Sequence, residues 1–507
     1  MIVERLAHWA EAAPDAPFAR TLDRSLSYGD TYSLARRFAT LLRRRGIGRG
    51  DHVALIAGNS LSYLVAWFGI NAVGAVAVCL NDQLLGDAID YLVGQSDSQL
   101  LVVDAEWLSS RHKDLRDVRA ELPCIEIGDD GFLDGLRAMP ESEAVVSAPH
   151  EVCTILYTSG TTGRPKGVMC AHGGYIATGQ QSARILELGA NDRIFVYLPL
   201  YHTNPQTYAV MSALATGASL ALRPRFSATS FFADAKALGA TGCTFVGTVL
   251  AILAARYPEP MRDHHMRFAI GGGTTAELAG AIENRFGFKV HELYGMTEVG
   301  GWVSGATAAD HKMGANGRVR ADMQVQIVDD GDNPLPVGER GEIIVRPLQP
   351  NRILLGYYNK PDELAKASRN FWFHTGDVGS FDPDGYLHFH GRTKELIRRG
   401  GEMISPQELE SWILKIPGVI DCAVVGVADP IMGEEVKAVV VAVPTFDLGD
   451  IRPWLAGQVP SYMLPRFAES VDVIPRTQTE KILRRALQYV DERVTDLNQN
   501  NKGRTPQ

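Results

Sequence analysis

Between Asp51 and Asp104 short apolar runs alternate with helix-like stretches, and this alternation constrains the fold more than any other feature of the chain. Val53 to Ile56, Ala75 to Leu80 and Gln99 to Val103 read as strands, and Ser62 to Ile70 and Gly86 to Val93 as helices. Strands that are apolar throughout have both faces buried, as in a parallel sheet covered by its crossover helices. The rhythm returns from Asp192 to Arg223 and from Thr241 to Tyr294, giving a large α/β region. Ser62 to Leu80 is uncharged and long enough to span a bilayer. Gly69, Asn71 and Gly74 interrupt it, so it reads as a buried helix followed by a strand rather than a membrane span.

After Gly314 the pattern changes. Val325 to Val328, Gly341 to Val345 and Tyr386 to Phe389 read as short strands parted by Gly, Pro and Asp turns, a small β subdomain. A charged stretch, Arg392 to Glu402, leads into a compact α+β pattern: helix Pro406 to Leu414, then strands Cys422 to Val427 and Val436 to Val443. The expected fold is therefore α/β: a large N-terminal domain of α/β sheets with a small β subdomain, then a small mobile α+β C-terminal domain. The boundary is placed at Lys394, giving domains 1–393 and 394–507. The polar residues beyond Asp491 are expected to fray.

A chain of 507 residues exceeds one ordinary core, which agrees with this division. The net charge of −9 argues against general nucleic-acid binding, which needs a basic surface. The six cysteines form no CxxC pair and none sits near His at zinc-finger spacing, so free thiols in a reducing cytoplasm are expected. Met1 to Ala13 reads as an amphipathic helix rather than a signal peptide. His264-His265 lacks a partner at metal spacing and reads as a loop.

Tyr157-Thr-Ser-Gly-Thr-Thr-Gly-Arg-Pro-Lys-Gly167 is the sharpest chemical signal. Its glycines let backbone approach a ligand; its hydroxyls and N–H groups can donate to phosphate oxygens, and Lys166 adds positive charge. It follows the strand-like run Val152 to Leu156, at a strand's end, where α/β proteins bind ligands. It is not a Walker A loop, because Gly follows Lys166. Further along stand Gly271-Gly272-Gly273, Tyr294-Gly-Met-Thr-Glu298, Thr375-Gly376-Asp377, Gly391-Arg392, Gly400-Gly401 and Pro475-Arg-Thr-Gln-Thr-Glu-Lys481.

Taken in order, these segments resemble the signatures of the adenylate-forming superfamily: acyl-CoA synthetases, firefly luciferase and nonribosomal adenylation domains. The resemblance runs from about Tyr28 to Lys481. It implies that Thr158, Ser159, Gly160, Thr161, Thr162, Gly163 and Lys166 hold the phosphates of ATP. It implies that Gly271, Gly272 and Gly273 lie beside adenine and the acyl pocket, that Tyr294 packs on adenine and that Thr297 contacts the α-phosphate. Glu298 would help hold Mg²⁺, and Asp377 and Arg392 would bind the ribose. Lys394 would be the hinge, and Gly400 and Gly401 would line the path of the coenzyme A arm. Lys481 would drive adenylation by offsetting repulsion between carboxylate and ATP. Leu198-Pro-Leu-Tyr-His202-Thr-Asn204 resembles the acyl-site signature, with His202 lining the pocket.

Two positions depart from the family pattern: Thr274-Thr275 replace the usual Ala-Pro after the glycines, and Glu480 replaces the usual Gly before the lysine. No Asp follows the aromatic in Tyr201 to Thr207 to pair with an α-ammonium, which favours an acid without an α-amino group. The implied activity is ATP-dependent formation of an acyl-adenylate and its transfer to coenzyme A, with ATP, Mg²⁺ and coenzyme A as cofactors. The likeness is strongest to ligases of small to medium, carnitine-type or aryl acids. The alternative is an adenylating enzyme that passes the acyl group to a carrier protein or a nitrogen nucleophile. Dimers are frequent among such proteins, so a homodimer is the suggested assembly.

Overall fold

The computed structural model describes residues 1–84, 87–111, 122–128, 131–158, 165–307, 309–392, 395–399, 402–476 and 482–498. It forms two compact units. The first comprises Met1–Val325, Ile344–Phe373 and Gly385–Leu387; the second comprises Gln326–Ile343, His374–Asp384 and His388–Gln507.

In the first unit the apolar runs near the N-terminus form the expected parallel core. His52–Ile56 pairs in parallel with Val76–Leu80 and with Leu100–Asp104. Val76–Leu80 pairs with Val152–Thr158, which turns back antiparallel onto Lys166–Ala171. Gly356–Tyr357 and Cys124–Ile127 flank this seven-stranded sheet. A second, nine-stranded sheet is built around parallel Arg193–Val196, Ser219–Leu222, Gly242–Val246, Phe268–Gly272 and Lys289–Tyr294.

The uncharged stretch that could have spanned a bilayer folds as helix Leu61–Ala72 and strand Val76–Leu80. Ser60 caps the helix by accepting from the Tyr63 amide at 3.0 Å, and every helical residue is buried. Its neighbour, Tyr28–Arg44, starts with a Ser27/Asp30 capping box. The two helices meet at Gly69, where a Cβ would lie 2.7 Å from the Phe38 ring and 2.9 Å from the Ala35 carbonyl. Only glycine permits that approach without moving a helix. Among the described residues no helix is long and apolar enough to cross a membrane. All six cysteines are free thiols, and His264 sits in a loop, stacked on Phe232.

The second unit is organised by the hairpin Val419–Asp429 and Gly433–Ala442, with Val424 opposite Ala438. Alternate residues face opposite ways. Cys422, Val424, Val436, Ala438 and Val440 pack under helix Pro406–Ile413, whereas Ala423, Val425, Val427 and Val439 meet Ile474 and Leu487. Lys437 lies on the second face, fully buried, with Nζ 2.7 Å from the Glu469 carboxylate. It also donates to the carbonyls of Leu487 and Tyr489 at 3.2 and 2.9 Å. Among the described residues beyond Asp491, which end at Asn498, the structure departs from expectation: Thr495–Asp496 pairs with Phe467–Ala468, and Leu497 is buried. One buried leucine and two ladder positions hold a segment whose composition alone suggests fraying.

Candidate active site

In the first unit the polar residues gather where parallel strands end. Thr158 is the last residue of Val152–Thr158 and stands opposite Lys166 on the returning strand. Its hydroxyl donates to Glu298 Oε1 at 3.0 Å. The Tyr357 hydroxyl donates to the same oxygen at 3.3 Å. Burial first, and the adjacent Glu298 carboxylate second, push the Tyr357 phenol up, so it remains a donor. Lys166 Nζ lies 4.4 Å from the centre of the Tyr357 ring and 3.5 Å from the Glu363 carboxylate. Thr158, Lys166, Tyr357 and Glu298 therefore form one connected group. Ser159, Gly160, Thr161, Thr162 and Gly163 lie outside the described residues.

Glu298 is buried within the short 3₁₀ turn Thr297–Val299, which closes at Gly300 with φ of 75°. The backbone is held by the Leu354 amide, which donates to the Glu298 carbonyl at 2.8 Å. Thr297 is fixed through its side chain: Thr203 Oγ1 bonds to Thr297 Oγ1 at 2.8 Å, and Thr207 donates to the Thr203 carbonyl at 2.8 Å. Thr203 follows His202 directly, so the acyl-site signature and the Thr297-Glu298 turn are joined. His202 packs against Tyr201 at 4.6 Å between ring centroids. A π-helical turn, Pro205–Val210, follows, and Asn204 donates to the Phe245 carbonyl at 3.0 Å.

Gly271 and Gly272 end the strand Phe268–Gly272, and Gly273 turns out of it with φ of 91°. The neighbouring strand's end comes so close that a Cβ on Gly247 would lie 1.7 Å from the Gly273 carbonyl oxygen. Glu292 braces this turn from the next strand: Oε1 accepts from the Gly273 and Thr274 amides at 2.7 and 3.2 Å. Burial pushes the Glu292 carboxyl up to about 8, against the pull of those two amides. Tyr294, buried, ends the same strand, and its carbonyl accepts from the Val303 amide at 2.9 Å.

In the second unit Asp377 and Arg392 come together, with Arg392 Nε 3.5 Å from Asp377 Oδ1. The Asp377 amide donates to Thr375 Oγ1 at 3.1 Å, and the Gly376 amide to Glu342 Oε1 at 3.0 Å. Thr375 Oγ1 in turn donates to the Ile343 carbonyl at 2.6 Å. Lys394, Gly400, Gly401 and Lys481 lie outside the described residues.

Sequence reasoning missed Tyr357 and Glu292, and the bond from Thr203, a residue of the acyl-site signature, to Thr297. Tyr357 arrives on a two-residue strand paired antiparallel with Val168 and Met169, which has no local signature. Glu292 was visible as an acidic residue in the strand Lys289–Tyr294, two positions before Tyr294, a signal that could have been read.

The donor set suits a hard divalent cation. Glu298 offers carboxylate oxygen, its neighbours Thr158 and Tyr357 are hydroxyls, and no cluster of three His, Cys, Asp or Glu exists among the described residues. Mg²⁺ bound through one carboxylate, with phosphate and water completing the shell, fits this arrangement. The strand-end location, the glycine turn and the oxygen-only donor set together suit a nucleotide-binding site.

The chain belongs to the AMP-binding enzyme family, which it matches over residues 6–358, and residues 408–481 match the AMP-binding enzyme C-terminal domain. It is similar to the probable CoA ligase CCL9 of Humulus lupulus, at 32% identity over 91% of this chain and 90% of that protein. It is also similar to a crotonobetaine/carnitine–CoA ligase of Salmonella typhi, at 31% identity over 92% of this chain and 93% of that one. Among solved structures it resembles the anthranilate CoA ligase AuaEII in complex with anthranoyl-AMP, with 26% identity, a TM-score of 0.87 and 96% of each chain covered. The large α/β domain, the separate small C-terminal domain and the adenylate-forming CoA-ligase activity follow: the enzyme uses ATP to form an acyl-adenylate and transfers the acyl group to coenzyme A.

Proposed function

We propose that the enzyme is an AMP-forming acid–thiol ligase for a small to medium acid whose acyl group is otherwise uncharged, aryl acids above betaines. The observation that carries this reading is the joined Thr158, Lys166, Thr203, Thr297 and Glu298 group at the strand ends. The segments 202–207, 245–249, 271–275 and 296–302, which would surround the acyl group, hold one carboxylate, Glu298, and no Lys or Arg. A cationic or dicarboxylic acyl group would find no charged partner there besides Glu298, which this reading assigns to Mg²⁺.

In the first half-reaction a carboxylate oxygen bonds to the α-phosphorus of ATP and the bond to the β-phosphate oxygen breaks, releasing pyrophosphate. Thr158 to Gly163 and Lys166 hold the phosphates; Lys166 must exchange Glu363 for them. Thr297 contacts the α-phosphate, and Tyr294 with Gly271 to Gly273 holds adenine. Asp377 and Arg392 hold the ribose. Glu298 would hold Mg²⁺, which when bound would supply positive charge against that growing on the leaving phosphates. Lys481 bridges the two anions.

In the second half-reaction a coenzyme A thiolate attacks the acyl carbon and AMP leaves. Gly400 and Gly401 admit the thiol arm, with Lys394 as pivot between the proposed domains 1–393 and 394–507, and His202 lines the acyl site. A cytoplasmic location and a homodimer complete the proposal.

The test is carboxylate-dependent pyrophosphate release over short, medium, aryl and betaine acids, with and without coenzyme A. Release with neutral acids that coenzyme A accelerates, yielding the thioester, supports the reading. Preference for a betaine or a dicarboxylate overturns the substrate assignment, and release indifferent to coenzyme A moves the acceptor to a carrier protein or nitrogen nucleophile.

A further inference from the structure

Asp377 stands inside the strand Trp372–Phe381, directly after a residue that breaks the strand's regular course. Gly376 has φ of 71°, in the left-handed region that residues with a Cβ rarely adopt. A kink of this kind re-aims the side chain that follows and takes backbone groups out of the ladder, so they need other partners. At Gly376 a side chain supplies one: the amide donates to Glu342 Oε1 at 3.0 Å. The other oxygen of that carboxylate, Oε2, lies 2.8 Å from His374 Nδ1. Between these two bonds, Thr375 Oγ1 donates to the carbonyl of Ile343, the residue after Glu342, at 2.6 Å, and accepts from the Asp377 amide at 3.1 Å. The run His374 to Asp377 is thus tied to Glu342 and Ile343 within the second unit. The proposed ribose pair lies at the end of the tie: Asp377 is 4% exposed, and Arg392 Nε is 3.5 Å from its Oδ1.

An amide bonded to an ionised carboxylate makes a charge-assisted bond, stronger than an amide–carbonyl one. The His374 ring keeps the carboxylate from swinging away, and is itself buried, with Nε2 3.9 Å from Asp332 Oδ1. Sheet pairing alone needs neither a left-handed glycine nor a side-chain acceptor, since backbone ladder bonds suffice. A carboxylate committed to the kink is explained when the next side chain must point in one direction. Accepting from two ribose hydroxyls at once sets that requirement, because a misplacement of about an ångström costs on the order of 10²-fold.

We infer that Glu342 is a positioning residue for the nucleotide ribose: by holding the Gly376 amide and the His374 ring, it sets the direction in which Asp377 presents its carboxylate. The inference rests on the ribose role proposed for Asp377. Glu342 acts through Asp377, so its loss should fall on the part of ATP affinity that comes from the ribose hydroxyls and spare the rest.

The experiment measures equilibrium binding of Mg·ATP, and of Mg·2′,3′-dideoxy-ATP, which lacks both ribose hydroxyls, to the full chain. The wild type should bind ATP about 100-fold more tightly than the dideoxy nucleotide, the scale of two hydrogen bonds to a charged group. Glu342→Leu should weaken ATP about 10- to 100-fold and the dideoxy nucleotide by no more than about twofold, so that most of the preference disappears. Glu342→Gln keeps an acceptor for the Gly376 amide and should hold the preference within about threefold of wild type. In the Asp377→Ala background Glu342→Leu should change ATP binding by no more than about twofold, because the group it positions is gone. His374→Leu removes the carboxylate's second bond and should give a smaller loss with the same pattern; it carries the test if Glu342→Leu does not fold. Equal weakening of both nucleotides, a full additional loss in the Asp377→Ala background, or no rescue by Glu342→Gln overturns the inference. Unchanged binding in Glu342→Leu beside a lost preference in Asp377→Ala overturns the inference alone. A preference that survives Asp377→Ala overturns the ribose role of Asp377 and the inference with it.

Discussion

Glu292 makes the protein's stability depend on pH in a direction opposite to that of an ordinary paired carboxylate. One oxygen accepts from the Gly273 and Thr274 amides, and the other is buried without a hydrogen-bond partner. Burial dominates, and the carboxyl holds its proton up to about 8 instead of the usual 4.5. Between those values the folded protein binds the proton and the unfolded chain does not. Stability from this group is therefore complete below 4.5 and is lost as pH rises through 8. A rise from 4.5 to about 8, at about 1.4 kcal/mol per unit, amounts to about 5 kcal/mol over the window.

Glu292→Gln keeps an oxygen for the two amides and cannot ionise, so it mimics the protonated form. The two proteins should be closest in stability near pH 5, and the variant should gain steadily up to about pH 8, by a few kcal/mol in all. Urea midpoints of the full chain at stepped pH measure the gap. The infrared spectrum of the wild type minus the variant at neutral pH should contain a protonated-carboxyl band. Parallel stability curves with no such band would refute the reasoning, since both follow from one buried proton.

Lys481→Ala should lower carboxylate-dependent pyrophosphate release by about 10²–10³ and spare thioester formation from supplied acyl-adenylate, read by assaying the half-reactions apart. Glu298→Gln should raise the Mg²⁺ concentration for half-maximal pyrophosphate release about tenfold or more, measured by metal titration; an unchanged titration would remove Glu298 from the metal site. Lys437→Ala leaves Glu469 charged and buried and should cost about 3–5 kcal/mol, whereas Lys437→Met with Glu469→Leu should recover most of it, both read from denaturant midpoints.

The sheet core was legible because its signal is local. Uninterrupted apolar runs such as Val53 to Ile56 and Ala75 to Leu80 have few alternatives once Gly69 and Gly74 rule out a membrane helix. The hairpin strands around Val424 and Ala438 were legible for the same reason. Thr297 and Glu298 could be read from the YGMTE segment, but their supports could not. Tyr357 reaches Glu298 from 59 residues away, and Thr203 reaches Thr297 from 94 away, so neither contact leaves a local pattern. The buried state of Leu497 depends on a two-residue pairing with a distant strand, and polar composition outweighed it.

The shared oxygen of Glu298 has a thermodynamic consequence. Thr158 and Tyr357 both direct their hydroxyl protons to Oε1, the kind of atom a divalent cation also draws on. A cation that took the same lone pairs would compete with those bonds, and whatever strengthened them would weaken its hold. By reciprocity, the strand end at Thr158 and the metal must each register the other's presence with the same coupling energy. If Glu298 holds the metal and the loop after Thr158 the phosphates, as proposed, this one oxygen would link metal occupancy to the phosphate-binding side of the site.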